Sequence, residues 1–171
     1  MKNIFIIKEQ ILLDQLKVFN SRNIFYCLWK NFENYKLHYN PNDLDIYISP
    51  LDSVRAFKLL DESGWVRLIN PVANYKGIRH YYFFTSLNTY HIHIYSGLRT
   101  GDSWLKNYYF PLDNFLLKNS FKDINHVNIL NNEAFHLIFN LRLLIKNSTL
   151  IGRLLYKLSI EKYKKESNFI D

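Results

Sequence analysis

The stretch from residue 42 to residue 48 constrains the fold most, because polar and apolar residues alternate strictly from residue 43 onward. The apolar residues are Leu44, Ile46 and Ile48, and the residues between them are Asp43, Asp45 and Tyr47. Side chains alternate between two faces along a strand, so this pattern predicts a β-strand with one apolar face. Asp is disfavoured in strands, and two of them at i and i+2 place two carboxylates on one face, about 6–7 Å apart.

Two carboxylates with this spacing can both reach one hard divalent cation or a metal-bound phosphate. The preceding Asn40-Pro41-Asn42 predicts a turn, so we expect the pair where the strand begins. The alternative is structural, with Asp43 capping the turn and Asp45 facing solvent. Taken alone, the two residues leave both interpretations open.

The composition predicts one folded domain with a basic surface. Of 171 residues, 48% are hydrophobic and 17% are aromatic, which supports a packed core. The formal net charge of +7 favours anionic partners, although it could serve solubility alone. Cys27 is the only cysteine, which excludes an internal disulfide or a Cys-based zinc site, and its apolar neighbours predict a buried thiol. No apolar run approaches the about 18 residues of a membrane span, so we predict a cytoplasmic protein without one.

Hydrophobic periodicity and turn residues predict the order of the elements. Helices are predicted over 8–20, 50–63, 111–118, 133–146 and 149–165, and strands over 24–29, 43–49, 65–69 and 104–110. A hairpin is predicted from 79–86 and 89–96 around Leu87-Asn88, with loops over 30–42 and 97–102. The order indicates an α/β (α+β) domain with a mixed sheet flanked by helices. We predict a core over 1–130 and C-terminal helices over 131–171, packed on the same domain.

An N-terminal helix, an apolar strand, a loop and a strand opening with Asp43-Leu44-Asp45 together resemble the nucleotidyltransferase superfamily with a DNA polymerase β-like palm. More narrowly, the chain looks like nucleotidyltransferase-like proteins encoded with bacterial surface-polysaccharide genes. There, a strand like the one at 90–95 leads into a segment like the one from Gly101 to Pro111. The resemblance covers roughly residues 8–146. It implies that Asp43 and Asp45 hold Mg²⁺ or Mn²⁺ against a nucleoside triphosphate while an unidentified acceptor attacks.

Two positions depart from the family pattern. The glycine turn expected after the first strand is replaced by Trp29-Lys30, although Lys30 could supply a charge in its place. The expected third carboxylate corresponds to His91, which could act as a variant third ligand or a base. His91 and His93 share a strand face, so with Asp43 and Asp45 they could ligate Mn²⁺ or Zn²⁺ if the two strands are neighbours. The alternative is a pair of solvated histidines.

Four cations are candidates for contact with a triphosphate, and all four could equally be surface charges: Lys30, Arg99, Lys106 and Arg142. Arg142 interrupts an apolar helix, and because buried charges are usually paired, an acidic site could be its partner. The aromatic run at 81–84 is interpreted as packing rather than as a base-stacking surface, and His80 has no partner that the sequence reveals.

Three functional hypotheses follow. The first is metal-dependent nucleotidyl or phosphoryl transfer in surface-glycan biosynthesis, with Asp43, Asp45 and His91 as catalytic residues. The second is a binding module that has the same fold without catalysis. The third is a nucleic-acid-binding protein that uses the net charge and the lysines at 162–165. The sequence does not determine the oligomeric state.

Overall fold

The computed structural model describes residues 2–30, 43–71, 74–101 and 108–146. The four helices in these ranges are α1 (Lys2–Ser21), α2 (Ser53–Glu62), α3 (Asp113–Lys118) and α4 (Asn132–Lys146). The nine strands are β1 (Tyr26–Leu28), β2 (Asp43–Ile48), β3 (Val66–Leu68), β4 (Ile78–Phe84), β5 (Thr89–Tyr95), β6 (Leu98–Thr100), β7 (Tyr108–Phe110), β8 (Ser120–Lys122) and β9 (Asn128–Leu130).

Seven strands form one mixed sheet in the order β3-β4-β5-β2-β1-β9-β8. The pairs β2–β5 and β1–β9 are parallel, and the other four pairs are antiparallel. Strands β6 and β7 form a separate antiparallel ladder. A mixed sheet with helices packed on it confirms the predicted α+β class.

The first core lies on the sheet face that α1 and α2 cover. The apolar side chains of β2 point into it, as the alternation predicts. Helix α1 contributes Leu12, Leu16 and Phe19, and α2 contributes Ala56, Phe57 and Leu60. The polar residues of β2 therefore face the opposite side of the sheet.

A second core covers part of that opposite face. It joins Cys27, Tyr47 and Tyr95 of the sheet to residues of α3 and α4. The Tyr47 hydroxyl donates a hydrogen bond to Asp113, which ties α3 to the sheet. Cys27 is fully buried, as predicted, and burial raises the pKa of its thiol, so the reactive thiolate is disfavoured. Helix α4 packs here through Ala134 and Ile138.

Several predicted boundaries need correction. The hairpin turn spans residues 85–88 instead of two residues, because Thr85 closes it with hydrogen bonds to the backbone of Asn88. The predicted loop at 97–102 contains strand β6, which pairs with β7. Helix α2 begins at Ser53, because Pro50 lies in a turn that a hydrogen bond from Asp52 N to Ser49 O closes.

Some predictions fall on residues outside the described ranges: the loop at 31–42, the start of the predicted strand at 104–110 and the helix at 149–165. The domain boundary near residue 130 stays a prediction. In the part of the chain that is described, no helix has both the length and the apolar character that crossing a membrane requires.

Candidate functional site

The parallel pairing of β2 with β5 brings the predicted site residues together. Asp43 lies opposite His91, and Asp45 lies opposite His93. The predicted convergence of two carboxylates and two imidazoles, which required neighbouring strands, is therefore confirmed. On this face the next row of the sheet is Tyr47 and Tyr95, which belongs to the second core.

The site is open at one end and closed at the other. The side chain of Asp43 is 50% exposed, whereas that of Asp45 is only 4% exposed. The reason is their position, since Asp43 is the first residue of β2 and Asp45 borders the second core. A ligand that enters from solvent therefore meets Asp43 before Asp45.

Asp45 lies in a dense set of polar contacts. Its Oδ1 is 2.6 Å from Nζ of Lys30 and 3.1 Å from Nδ1 of His93. Nζ of Lys30 also donates to the Tyr95 hydroxyl at 2.8 Å. Burial raises the pKa of Asp45, but the hydrogen bond from His93 and the charge of Lys30 outweigh it, so the pKa lies below its ordinary value. Asp45 is thus a buried, ionised carboxylate at neutral pH.

Asp43 begins a second set of contacts. Its Oδ1 is 2.9 Å from Nδ1 of His91, and Nε2 of His91 is 3.0 Å from Nδ1 of His80. Burial lowers the pKa of His80 to about 4, so this imidazole is neutral at pH 7. His91 satisfies both contacts when its Nδ1–H donates to Asp43 and its Nε2 accepts from Nδ1–H of His80. The three side chains therefore form a continuous hydrogen-bonded chain.

Histidine rings stack across β4 and β5 in the same region. His80 lies opposite His93, and their ring centroids are 4.0 Å apart. Tyr82 lies opposite His91, with centroids 4.4 Å apart and nearly parallel rings. Burial is the main cause that lowers the pKa of His93. Its Nε2 is buried and makes no hydrogen bond within the described residues. The stacked rings form a wall beside the two carboxylates.

Aromatic rings and cations border the closed end of the site. Trp29 follows β1 and packs edge-on against Tyr95, with centroids 4.7 Å apart. Nζ of Lys30 lies 4.7 Å from the Tyr95 centroid and 5.3 Å from the Trp29 centroid. The guanidinium carbon of Arg142 lies 5.1 Å from the same Trp29 centroid. Lys30, which follows Trp29, thus places a cation beside Asp45.

The four predicted phosphate contacts have different positions. Lys30 and Arg142 border the site. Arg99 instead lies on β6, and its guanidinium carbon is 5.2 Å from the ring of Tyr109 on the neighbouring strand. Lys106 lies outside the described residues. Arg142 lies near enough to Asp45 for the carboxylate charge to act on its guanidinium, and its contact with a phosphate stays a prediction.

Sequence reasoning missed His80, Tyr82 and Tyr95 as members of the site. The signal was present in the hairpin, because alternate residues of its two strands share one face. The same alternation places Tyr81 in the first core, as predicted for the aromatic run, but Tyr82 on the site face. Pairing the hairpin explicitly would have identified all three residues.

The two carboxylates are the side chains that could hold the predicted metal ion. Among the side chains that the structure describes, no group of three or more His, Cys, Asp or Glu is arranged to hold a metal ion. The donor set that suits Mg²⁺ or Mn²⁺ is the pair Asp43 and Asp45. Oxygen-preferring cations of this kind use one or two carboxylates and take other ligands from phosphate and water. Metal ligation by Asp43, Asp45, His91 and His93 stays a prediction.

Comparisons with known proteins bear on the fold. No protein-family model matches the chain, and no curated protein matches it. A crystal structure of a candidate nucleotidyltransferase from Thermotoga maritima matches with a TM-score of 0.53 and 12% sequence identity. The match covers 92% of each chain. Likeness at this identity concerns the fold alone, and it agrees with the mixed sheet described above. The chain has a nucleotidyltransferase-like α+β fold.

Proposed function

We propose that the protein binds a nucleoside triphosphate at Asp43 and Asp45 and transfers a nucleotidyl or phosphoryl group to an acceptor. The observation that carries this proposal is the cross-strand register, which aligns the two carboxylates with His91 and His93 on a nucleotidyltransferase-like sheet. The likeness to the Thermotoga maritima structure supports it, because that protein is described as a candidate nucleotidyltransferase. The basic net charge also favours an anionic substrate.

The two carboxylates hold the metal ion in this proposal, and the two histidines support them. Mg²⁺ or Mn²⁺ held by Asp43 and Asp45 would neutralise phosphate charge in the transition state. Asp43 is exposed enough to meet the incoming nucleotide, and its contact with His91 fixes the orientation of the carboxylate. His91 would act as a base at Nε2 if an acceptor hydroxyl displaced the hydrogen bond from His80. His93 holds Asp45 from the adjacent strand.

Lys30 acts as the cation of the ligand-free site. Its ammonium group neutralises Asp45 and prevents an isolated buried charge. For a cation to reach Asp45 with the nucleotide, the lysine side chain must turn away, and its flexible four-carbon stem allows this. Its charge is then available to a phosphate oxygen. Lys30 thus takes over the charge function that backbone amides of a glycine turn would otherwise supply.

The biological setting is the most specific part of the proposal. Surface-glycan biosynthesis is supported by the resemblance of the 90–111 region to nucleotidyltransferase-like proteins of polysaccharide gene clusters. In that setting the acceptor is a phosphorylated metabolite or a glycan precursor. The chemistry of the site requires an acceptor with a nucleophilic oxygen, because nucleotidyl transfer forms a new oxygen–phosphorus bond.

Calorimetric titration tests the assignment. ATP, CTP, GTP and UTP are titrated with Mg²⁺ or Mn²⁺ into the wild type, Asp45→Asn and Asp61→Asn. The control residue is an exposed carboxylate on α2. We expect at least one nucleotide to bind in a metal-dependent way, with binding lost in Asp45→Asn and kept in Asp61→Asn. No binding of any nucleotide to the folded wild type would overturn the proposal.

A second candidate function is a binding module without catalysis. The short Lys30–Asp45 contact favours it, because this contact occupies an oxygen that a catalytic cation would need. Release of the leaving group distinguishes the two functions once a bound nucleotide is known: pyrophosphate for nucleotidyl transfer and a nucleoside diphosphate for phosphoryl transfer. Turnover that both Asp43→Asn and Asp45→Asn abolish supports the transferase. Tight nucleotide binding with release of neither product, across a panel of sugar phosphates, supports the binding module.

A further inference from the structure

The sheet continues past the carboxylate pair at the open end of the site, on strands β4 and β5. Phe84 of β4 lies opposite Thr89 of β5 there, and both side chains are exposed. They share the face that carries the histidines, because their neighbours Phe83 and Tyr90 pack on the first core on the other side. The next aromatic ring on this face of β4 is Tyr82, so two rings of one strand border the entrance to the site.

Phe84 is 55% exposed because its cross-strand neighbours are small or missing. Strand β3 pairs with β4 only from His80 to Tyr82, so no β3 residue lies opposite Phe84, and its partner on β5 is the small Thr89. The rings of Tyr82 and Phe84 are nearly parallel, with an interplanar angle of 15° and centroids 6.2 Å apart. Neither ring belongs to the two apolar cores. We call Tyr82, Phe84 and Thr89 the open-end shelf.

The open-end shelf and Lys30 lie on opposite sides of the carboxylate pair. In the sheet order β4-β5-β2-β1, the shelf belongs to β4 and β5, whereas Lys30 follows β1. The attacking and leaving oxygens of a phosphoryl transfer are roughly in line on the phosphorus. If the leaving phosphates take the charge of Lys30, as proposed above, the attacking oxygen approaches from the side of β4 and β5. The shelf therefore borders the path of the acceptor instead of the path of the leaving group.

The side chains of the open-end shelf are complementary to a sugar ring. A pyranose has C–H groups on one face, which can pack on an aromatic ring, and hydroxyl groups at its edge. Tyr82 and Thr89 add hydroxyls that can donate and accept hydrogen bonds. Burial and the charge of Asp43 raise the pKa of Tyr82, so its phenol stays protonated and remains a donor at neutral pH. A nucleobase could also stack on the rings, but it carries no hydroxyl that could attack phosphorus.

We propose that Tyr82, Phe84 and Thr89 bind a pyranose ring of the acceptor, so that the acceptor is a sugar or a sugar phosphate. The inference rests on the proposed function, because the ring must present a hydroxyl to the phosphorus held at the carboxylate pair. Tyr82 stacks on His91, so a ring that packs on Tyr82 lies beside that imidazole. The hydroxyl oxygen forms the new bond to phosphorus, and its proton passes to Nε2 of His91. The bond from phosphorus to the bridging oxygen breaks, and pyrophosphate or a nucleoside diphosphate leaves.

Saturation-transfer difference NMR on the full chain in EDTA measures ring binding without a nucleotide or a metal. The probes are the methyl glycosides of glucose, galactose, mannose and N-acetylglucosamine, with adenosine and glycerol for comparison. The variants are Phe84→Ala, Thr89→Val and the control Phe121→Ala. Phe121 is a matched control, because it is 50% exposed on β8 at the opposite edge of the sheet. We expect at least one glycoside to bind the wild type with a Kd on the order of 1–10 mM, and glycerol not to bind.

The variants separate the shelf from general contact with exposed rings. Phe84→Ala should weaken glycoside binding about 3- to 10-fold, because a ring face is lost. Thr89→Val should weaken it about 2- to 5-fold through the lost hydroxyl, and it is the variant that decides if Phe84→Ala does not fold. Unchanged affinity in the folded shelf variants, an equal loss in Phe121→Ala, or no binding of any glycoside would refute the proposal. Adenosine binding that alone depends on Phe84 would refute the sugar assignment in favour of a nucleobase.

Failure of this inference is distinguishable from failure of the proposed function. If metal-dependent nucleotide binding is lost in Asp45→Asn but glycoside binding does not depend on Phe84, the nucleotide site stands and the sugar subsite is wrong. If glycoside binding depends on Phe84 but no nucleotide binds in the presence of metal, the shelf stands as a sugar-binding site. In that second case the transferase assignment is wrong.

Discussion

Asp45 Oδ1 lies 3.1 Å from His93 Nδ1 on the adjacent parallel strand and 2.6 Å from Lys30 Nζ. The carboxylate therefore links β2 and β5 to Lys30, the second residue after β1. Because its side chain is 4% exposed and that of Lys30 is 13% exposed, the ion pair is largely shielded from water. Because a buried charge is costly without its partner, removing one partner should lower the free energy of unfolding.

Asp45→Asn should lower the free energy of unfolding by about 2–3 kcal/mol, because it leaves the Lys30 ammonium group buried beside a neutral amide. Urea unfolding measures the change. The matched control is Asp14→Asn, which breaks an exposed pair with Lys17 and should cost less than about 0.5 kcal/mol. The double variant Lys30→Met/Asp45→Asn should recover part of the loss, since it removes both charges. An Asp45→Asn loss no larger than that of Asp14→Asn would contradict this prediction.

Gly77 immediately precedes β4 in the hairpin that carries the histidines, and its carbonyl oxygen accepts a hydrogen bond from the backbone N–H of Ser96. Its φ is +82°, and a Cβ built there would lie 2.4 Å from the carbonyl oxygen of Ser96. Gly77→Ala should therefore destabilise the protein by about 2 kcal/mol, because both the backbone conformation and the space oppose a side chain. Thermal unfolding measures the loss of stability in Gly77→Ala, and Gly64→Ala is the control. Gly64 has the same φ, but its nearest atom would be 3.5 Å away, so that variant should cost only about 1 kcal/mol.

The strand at 43–48 could be predicted because its signal is local. Alternation identifies the strand, its faces and the side on which the carboxylates lie. The hairpin faces could also be predicted. The turn was predicted as two residues instead of four, but an error of two residues in register keeps each side chain on its own face.

The neighbours of the carboxylates required information that is not local. The pairing of β2 with β5 joins residues that are 48 positions apart in the sequence, such as Asp43 and His91, and the alternation of each strand does not specify its neighbour. The contact between Lys30 and Asp45 likewise depends on how the chain returns after β1. Strand β6 was missed because its three residues lie between two glycines, which favour a loop.

His80 should make stability depend on pH. Its pKa is about 4 in the folded protein against an ordinary value of 6.5, mainly because of burial. Between these values the unfolded chain binds a proton that the folded chain does not, so stability falls as pH decreases from 6.5 to 4. The lowered pKa of His93 acts in the same direction.

Urea unfolding at pH 7.5 and pH 4.5 measures this effect. His80→Gln should reduce the loss of stability between the two pH values by about 1 kcal/mol, a value below the full shift because His80 is only partly buried. The control is His136→Gln, at an exposed position on α4, which should leave the pH dependence unchanged. An unchanged pH dependence in His80→Gln would show that the imidazole is protonated in the folded protein at pH 4.5.

Lys30→Met should have opposite effects on two ligands. It removes the ammonium group that lies 2.6 Å from Asp45, so Mn²⁺ should bind the nucleotide-free protein about tenfold more tightly, a gain of about 1.4 kcal/mol. The same change removes a cation from the Trp29 ring, so tripolyphosphate should bind more weakly. Electron paramagnetic resonance of free Mn²⁺ measures the first effect, and calorimetry in EDTA measures the second.

Lys58→Met is the control, because the Lys58 side chain is 78% exposed on α2 and should affect neither ligand. A fall in both affinities would mean that Lys30 supports the carboxylate pair instead of competing with a cation for it.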